Sequence, residues 1–202
     1  MSRQRKSHEE RKAEIIQGAL ELASETGVKE VTAQAIADRI GIAQPTIFRH
    51  FKSRGAIFRA AMEWVSRALF TVLEGLNQAG GPARERLQKL FSRQLKFVSK
   101  QKGLPRLLFS DRLHLEDPEL KATARRIMER YIAHLETIIQ SGIDSGEFRK
   151  DLDPAQTARF IAATIQGLIM RWSIYEFSFN LEEEAPVLWD FFEPILMTDN
   201  TR

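Results

Sequence analysis

No cysteine occurs among the 202 residues. Disulfides, thiolate metal sites and cysteine nucleophiles are therefore ruled out, and the composition fits a reducing cytoplasm. No apolar run approaches the length needed to span a bilayer. The opening MSRQRKSHEERK is basic, but it leads into an amphipathic helical pattern and lacks the apolar core of a signal peptide. These absences predict a soluble, cytoplasmic protein with no membrane partner. Strand-like alternation, a Gly-rich phosphate loop and a nucleophile elbow are all missing. The four histidines, at positions 8, 50, 114 and 134, lack metal-ligand spacing. Acidic groups such as Asp151 with Asp153, and Glu182 to Glu184, fall at helix starts, where the helix dipole accounts for them. The sequence thus assigns no catalytic residue, no metal and no cofactor, which argues against an enzyme.

A further scarcity is local. From Ile40 to Met62 there is no acid, while Arg49, Lys52, Arg54 and Arg59 lie inside the window. Residues 1–54 hold ten Lys/Arg against seven Asp/Glu, and residues 55–202 hold twenty of each. The whole formal excess of +3 therefore sits on the N-terminal quarter, as in a module that meets phosphates. A basic run alone is usually a solvated face. This one coincides with a structural motif.

That motif is VTAQAIADRIGIAQPTIFRHFKSR, Val31 to Arg54. Thr32 is a suitable N-cap, with Ala35, Ile36 and Ile40 at helical spacing behind it. Gly41 falls where the first helix must stop and the chain reverse. Ala43 to Phe51 predicts a second helix with Pro45 in its first turn, where the missing N–H costs nothing. Ile47 and Phe51 face inward, leaving Gln44, Thr46, Arg49 and His50 outward. Two short helices about a glycine turn, the second bearing amides and cations, form the helix-turn-helix pattern of DNA-binding proteins.

The residues Thr32, Ile36, Ala37, Gly41, Ile42, Thr46, Ile47, Phe48, His50, Phe51, Ser53 and Arg54 match the pattern of the TetR (tetracycline-repressor-like) family of bacterial transcriptional regulators. The specific resemblance covers about residues 10–60; beyond it the match is to helix order and length. Two positions depart from the pattern. Phe48 stands where most members carry a Tyr that touches a phosphate, and Ala43 replaces a common Ser cap, worth about 1 kcal/mol. The resemblance implies a dimeric repressor that leaves a pseudo-palindromic operator when a small, largely apolar ligand binds. The expected DNA-facing set is Thr32, Ala33, Gln34, Gln44, Pro45, Thr46, Phe48, Arg49, His50, Lys52 and Arg54. Within it Gln44 and Thr46 reach base edges, Pro45 packs on a thymine methyl, and Gln34 adds a further contact. Lys52, Arg54, His50 and Thr32 hold phosphates.

The rest of the chain is helical by pattern, giving an all-α protein of about nine helices. Residues 1–54 form a three-helix DNA-binding domain with a basic arm, and residues 55–202 a larger effector-binding and dimerisation domain. The arm carries Arg3, Arg5 and Lys6 and is either solvated or inserted in a minor groove. Helices are expected from Glu9 to Thr26, from Ser53 to the Gly80-Gly81-Pro82 stop, and from Pro82 to Lys102. Others follow from Leu104 to Leu115, from Asp117-Pro118 to near Gly142 and Gly146, from Asp153-Pro154 to about Phe179, and from Glu183 to Met197. Pro186 falls in the first turn of the last of these or kinks it.

The last two helices are apolar on more than one side, and one small domain cannot cover them. They predict a two-fold four-helix bundle between copies through Ile165, Ile169, Trp172, Leu188, Trp189, Phe192, Ile195 and Leu196. The effector pocket implied by the family has Phe109, Leu113, Met128, Tyr131, Met170 and Trp172 as candidate walls. Arg112, His114, His134, Gln166 and Arg171 are candidates for orienting a polar head. The competing reading is a helical adaptor that binds only proteins, which would have no use for an acid-free basic window.

Overall fold

The computed structural model describes residues 6–78 and 80–197. Among them are nine α-helices: α1 (His8–Thr26), α2 (Ala33–Ile40), α3 (Gln44–His50), α4 (Arg54–Gln78), α5 (Ala83–Ser99), α6 (Gly103–Leu108), α7 (Pro118–Asp144), α8 (Pro154–Ile174) and α9 (Glu184–Leu196). No strand forms among the described residues, only an isolated bridge between Phe148 and Met197. The chain divides into two compact units, Met1–Val65 with Gln101–Ala124, and Ser66–Lys100 with Arg125–Arg202. α4 and α7 each contribute residues to both. Arg3 and Arg5 of the expected basic arm lie outside the described residues.

In the first unit the helix ends follow local chemistry. Ser7 opens α1 with a reciprocal cap: its Oγ accepts from Glu10 N–H at 3.2 Å, and Glu10 Oε2 accepts from Ser7 N–H at 2.7 Å. Thr32 Oγ1 accepts from Ala35 N–H at 3.0 Å at the start of α2. Gly41, at φ 67°, ends α2 in the left-handed region, where a Cβ would be strained. α1 packs on α2 and α3 through Ile15, Ala19, Ile36, Ala37 and Ile47, all fully buried. It also packs on α6, which the sequence pattern did not suggest. There Gly103 lies so close to the Leu20 carbonyl that any Cβ would run into it. The helix expected from Leu104 to Leu115 stops at Leu108 and is followed by a π-helical turn, Arg112–Glu116.

The second unit has one apolar core, drawn from α4, α5, α7, α8 and α9. Leu87, Leu90, Phe91 and Leu95 meet Leu135, Ile138, Ile139, Ile161 and Leu196 there, all fully buried. Polar contacts join α5 and α7 beside it, the Tyr131 hydroxyl donating to Gln94 Oε1 and Arg86 Nη2 to Ser141 Oγ at 2.7 Å. α8 ends at Ile174, five residues short of Phe179. Glu176 and Phe177 adopt φ of 52° and 61°, turning the chain back over Trp172. The Trp172 indole donates to the Phe179 carbonyl at 2.9 Å, and Phe177 meets its ring edge-on at 4.6 Å. At the helix end the Tyr175 N–H donates to the Arg171 carbonyl and the Phe177 N–H to the Trp172 carbonyl, each at 2.9 Å. Pro186 falls in the first turn of α9 without breaking it, while Pro194 sits in the last turn.

Candidate DNA-binding face

The face is built on α2 and α3. Ile36, Ala37, Ile47 and Phe51 are buried and fix the two helices against α1. That leaves Pro45, Phe48 and Arg49 exposed on α3, with Gln44, Thr46 and His50 half-buried beside them. Thr32, Gln34 and Lys52 are exposed on the flanks, and Ala33 and Arg54 are half-buried. α3 starts at Gln44 with no side-chain cap from Ala43. Half of the surface of Phe48, an apolar ring, is open to solvent.

Several of these side chains already have intramolecular partners. The Thr32 hydroxyl caps α2. Gln34 Nε2 donates to Asp38 Oδ1 at 2.7 Å, Arg49 Nη2 to Thr46 Oγ1 at 2.8 Å, and Arg54 Nη1 to the Lys29 carbonyl at 3.1 Å. Gln34 keeps a second N–H and its carbonyl oxygen, and Arg49 its remaining N–H groups, for contact with a base or phosphate.

On the α1 side of this face, sequence reading had Lys6 in the basic arm but missed His8 and Arg11. A cleft of about 570 Å³ opens between the start of α1 and α3, where Lys6, His8 and Arg11 confront Thr46, Arg49 and His50. The His8 and His50 rings stack at 4.5 Å between centroids, tilted by 31°. Burial, then the neighbouring His8, Arg11, Arg49 and Lys12, hold the His50 imidazole below the ordinary histidine pKa. Forty-two positions separate the two histidines, so no local signal joins them.

Behind the face, in the same unit, Asp117 is buried between two guanidiniums. Its carboxylate lies 3.3 Å from Arg59 Nη1 and 3.5 Å from Arg112 Nη2, and its Oδ1 accepts from Leu120 N–H at 2.9 Å. Arg112 also lies 5.3 Å above the Phe58 ring. Burial is the main reason that its guanidinium titrates below the ordinary value.

The candidate effector residues are dispersed. Phe109 is exposed and Leu113 buried in the first unit. In the second, Met128 and Met170 are exposed, while Tyr131 and Trp172 are core residues whose polar atoms are bonded to Gln94 and Phe179. Among the polar candidates His114 Nε2 contacts the Leu108 carbonyl, and Arg171 lies over the Tyr175 and Phe179 rings. Of the residues expected between subunits, Ile165, Ile169, Trp172, Leu188, Trp189, Phe192 and Leu196 are buried inside their own chain, and Ile195 alone is exposed. The apolar side chains that α8 and α9 leave uncovered are Phe160, Met170, Ile174, Val187, Phe191 and Ile195.

Residues 15–61 match the bacterial regulatory proteins of the tetR family, and residues 111–183 match the tetracyclin repressor-like C-terminal domain. The nucleoid occlusion factor SlmA of Marinobacter nauticus is 31% identical over 166 residues, covering 80% of this chain and 83% of that protein. The chain belongs to the TetR family of DNA-binding transcriptional regulators. Its fold also matches a transcriptional regulator from Saccharomonospora viridis in complex with choline, at TM-score 0.81 and 23% identity over 94% of this chain and 99% of the other. FadR from Bacillus subtilis, in complex with stearoyl-CoA, superposes at TM-score 0.72 and 22% identity over 89% of this chain and 96% of the other.

Proposed function

We propose that this regulator is a homodimeric repressor, acting in the cytoplasm, that binds a pseudo-palindromic operator and is released by a small, largely apolar ligand with an anionic end. The observation that carries the reading is the outward face of α3, free of acids and held on a buried apolar base. Gln44, Thr46 and Pro45 read bases; Lys52, Arg54, His50 and Thr32 hold phosphates, with Ala33, Gln34, Phe48 and Arg49 completing the contact. A single α3 reads too few bases to select one genomic site, and a dyad doubles the count. The uncovered stripes of α8 and α9 supply that dyad. Residues 160, 170 and 174, and residues 187, 191 and 195, each recur at helical spacing along one side. Burying side chains of this size contributes about 1.5–3 kcal/mol each, ample for a stable pair.

For a small-molecule ligand, support comes from the two structural relatives of the same helical layout, one in complex with choline and one with stearoyl-CoA; only the second ligand, an apolar chain with an anionic end, matches the chemistry proposed. A ligand that favours one spacing of the two α3 helices shifts the dimer toward it. The DNA-binding division of the chain is residues 1–54, and the effector and dimer division residues 55–202.

The deciding experiment selects bound fragments from the source genome, then repeats the binding with long-chain acids and their thioesters present. Recovery of a two-fold site, with binding weakened by one such ligand, supports the reading. Indifference to every duplex at low salt refutes it in favour of a protein-binding adaptor. The 31% identity to SlmA favours a second role, nucleoid occlusion. Bound sites whose neighbouring transcripts do not change on deletion of the protein would select it.

A further inference from the structure

The cleft between α1 and α3 holds more positive charge than a contact with one base pair requires. Lys6 and Arg11 approach from the start of α1, and Arg49 from α3. On α1 Glu14 opposes them, taking Lys6 at 2.6 Å and Arg11 at 2.5 Å, and the Glu10 carboxylate also interacts with Lys6. Lys12 is held by Glu9 at 3.4 Å, and Glu10 is committed to the Ser7 cap. α3 has no acid, and Asp38 on α2 receives Gln34. Three cations therefore face two internal carboxylates, Glu10 and Glu14, around a space of about 570 Å³, leaving the cleft net positive.

Two imidazoles stand in the same space. His8 and His50 stack at 4.5 Å, and the buried Nδ1 of His50 meets no hydrogen-bond partner among the described residues. Burial and the neighbouring cations disfavour a proton on His50, whose ring lies 4.5 Å from that of His8. A tetrahedral phosphate seated there reverses that balance. It offers several acceptor oxygens to guanidinium, ammonium and hydroxyl donors, and its negative charge favours a proton on the ring pair.

We propose that this cleft is a phosphate oxyanion site, filled by the DNA backbone, in which the His8–His50 pair takes up a proton as the phosphate enters, so that the protein holds DNA more tightly as pH falls. The proposal rests on the DNA-binding reading given above. It adds His8 and Arg11 to the contact, places Lys6 of the arm on a phosphate there, and makes repression sensitive to intracellular acidity. The rings lie close enough to repel when both are charged, so one proton is shared by the pair. Linkage then gives about a tenfold gain in affinity per pH unit through the titration.

The test measures affinity for the duplex recovered by genomic selection from about pH 7.5 down to about pH 5.5, at constant ionic strength, for three proteins: wild type, the double variant His8→Gln with His50→Gln, and Lys52→Ala. The slope is expected in the wild type and in Lys52→Ala, which lies outside the cleft, and is expected to vanish in the double variant. In parallel, the histidine ring protons of the wild type are titrated by NMR in chloride and in inorganic phosphate, which requires no variant to fold. A phosphate-induced rise in the titration points of His8 and His50, with His114 and His134 unmoved, identifies the cleft and shows that free phosphate also enters it. A rise only on adding the duplex restricts the site to the DNA backbone. Wild-type affinity that changes less than twofold over the range overturns the proposal while leaving DNA binding intact, as does a slope that survives in the double variant. Absence of binding to any duplex defeats the DNA-binding reading itself. In that event unmoved ring titrations in phosphate overturn the oxyanion site, and a selective rise retains it for the free ion.

Discussion

Asp117 offers the sharpest stability prediction, because one side chain there does two separable jobs. Its Oδ1 caps α7 by accepting from Leu120 N–H at 2.9 Å, and its charge opposes Arg59 and Arg112 at 3.3 and 3.5 Å. Only 8% of Asp117 is exposed, so water cannot replace it. Loss of a cap costs about 1 kcal/mol. Breaking a fully buried pair costs about 3–5 kcal/mol. Here the guanidiniums keep other partners, Glu119 at 3.1 Å from Arg59 and Glu116 at 3.6 Å from Arg112, and both retain some solvent. The charge component is therefore reduced to about 1–2 kcal/mol. Asp117→Ala should destabilise by about 2–3 kcal/mol, while Asp117→Asn, which keeps a cap of similar quality, should lose only the charge component of about 1–2 kcal/mol. Denaturant unfolding of the three proteins at neutral pH measures both numbers. If Asp117→Asn matched the wild type while Asp117→Ala did not, the guanidinium pairing would contribute nothing and Asp117 would be a cap alone. If the two variants were equal, the cap would be the dispensable part.

The remaining predictions concern the face, the dyad and pH. Gln44→Ala should cost about 1–3 kcal/mol at the selected site and leave mixed-sequence binding unchanged, whereas Lys52→Ala should weaken all duplexes alike and lower the salt slope by about one; filter binding across a salt series separates them. Phe191→Glu places a charge in the exposed stripe of α9 and should give a species of 23.2 kDa in sedimentation, where the wild type is expected at twice that mass; an unchanged mass moves the proposed dyad elsewhere. Burial holds His134 below the ordinary histidine pKa of 6.5, against the pull of the Glu74 carboxylate. The folded chain thus binds fewer protons than the unfolded chain just below that value, so stability should fall as pH drops through 6.5 and onward, and His134→Gln should flatten that part of the profile in unfolding midpoints.

What could be read from the sequence was what neighbouring residues decide among themselves. Thr32, Gly41 and the Pro118 and Pro154 starts act within one turn of helix, and the structure has them where the sequence puts them. The candidate face shares that locality on its α2 and α3 side, where the inward set of Ile36, Ile47 and Phe51 determines which side chains remain outside. What escaped depends on approach from far along the chain. Gly103 is an ordinary glycine until α1 lies against it, and Glu176 and Phe177 take left-handed φ in the turn that brings the Phe179 carbonyl to the Trp172 indole.

The inner and outer sides of α8 and α9 show the same limit in a harsher form. A helix with a polar stripe reveals its buried side by contrast, but α8 carries Phe160, Ile161, Ile165, Ile169, Met170, Trp172 and Ile174 around its circumference. Nothing in that pattern separates Ile161, Ile165 and Trp172, which pack inside the chain, from Phe160 and Ile174, which stay more than 60% exposed. Yet the excess itself was informative: more apolar surface was present than one chain covers, and six large side chains of these two helices remain uncovered. Leaving them in water would forfeit about 25 cal/mol for each Å² that a partner could bury. The proposed dyad therefore follows from a quantity that the sequence states, while the side chains that meet across it follow only from which ones the chain's own core has already claimed.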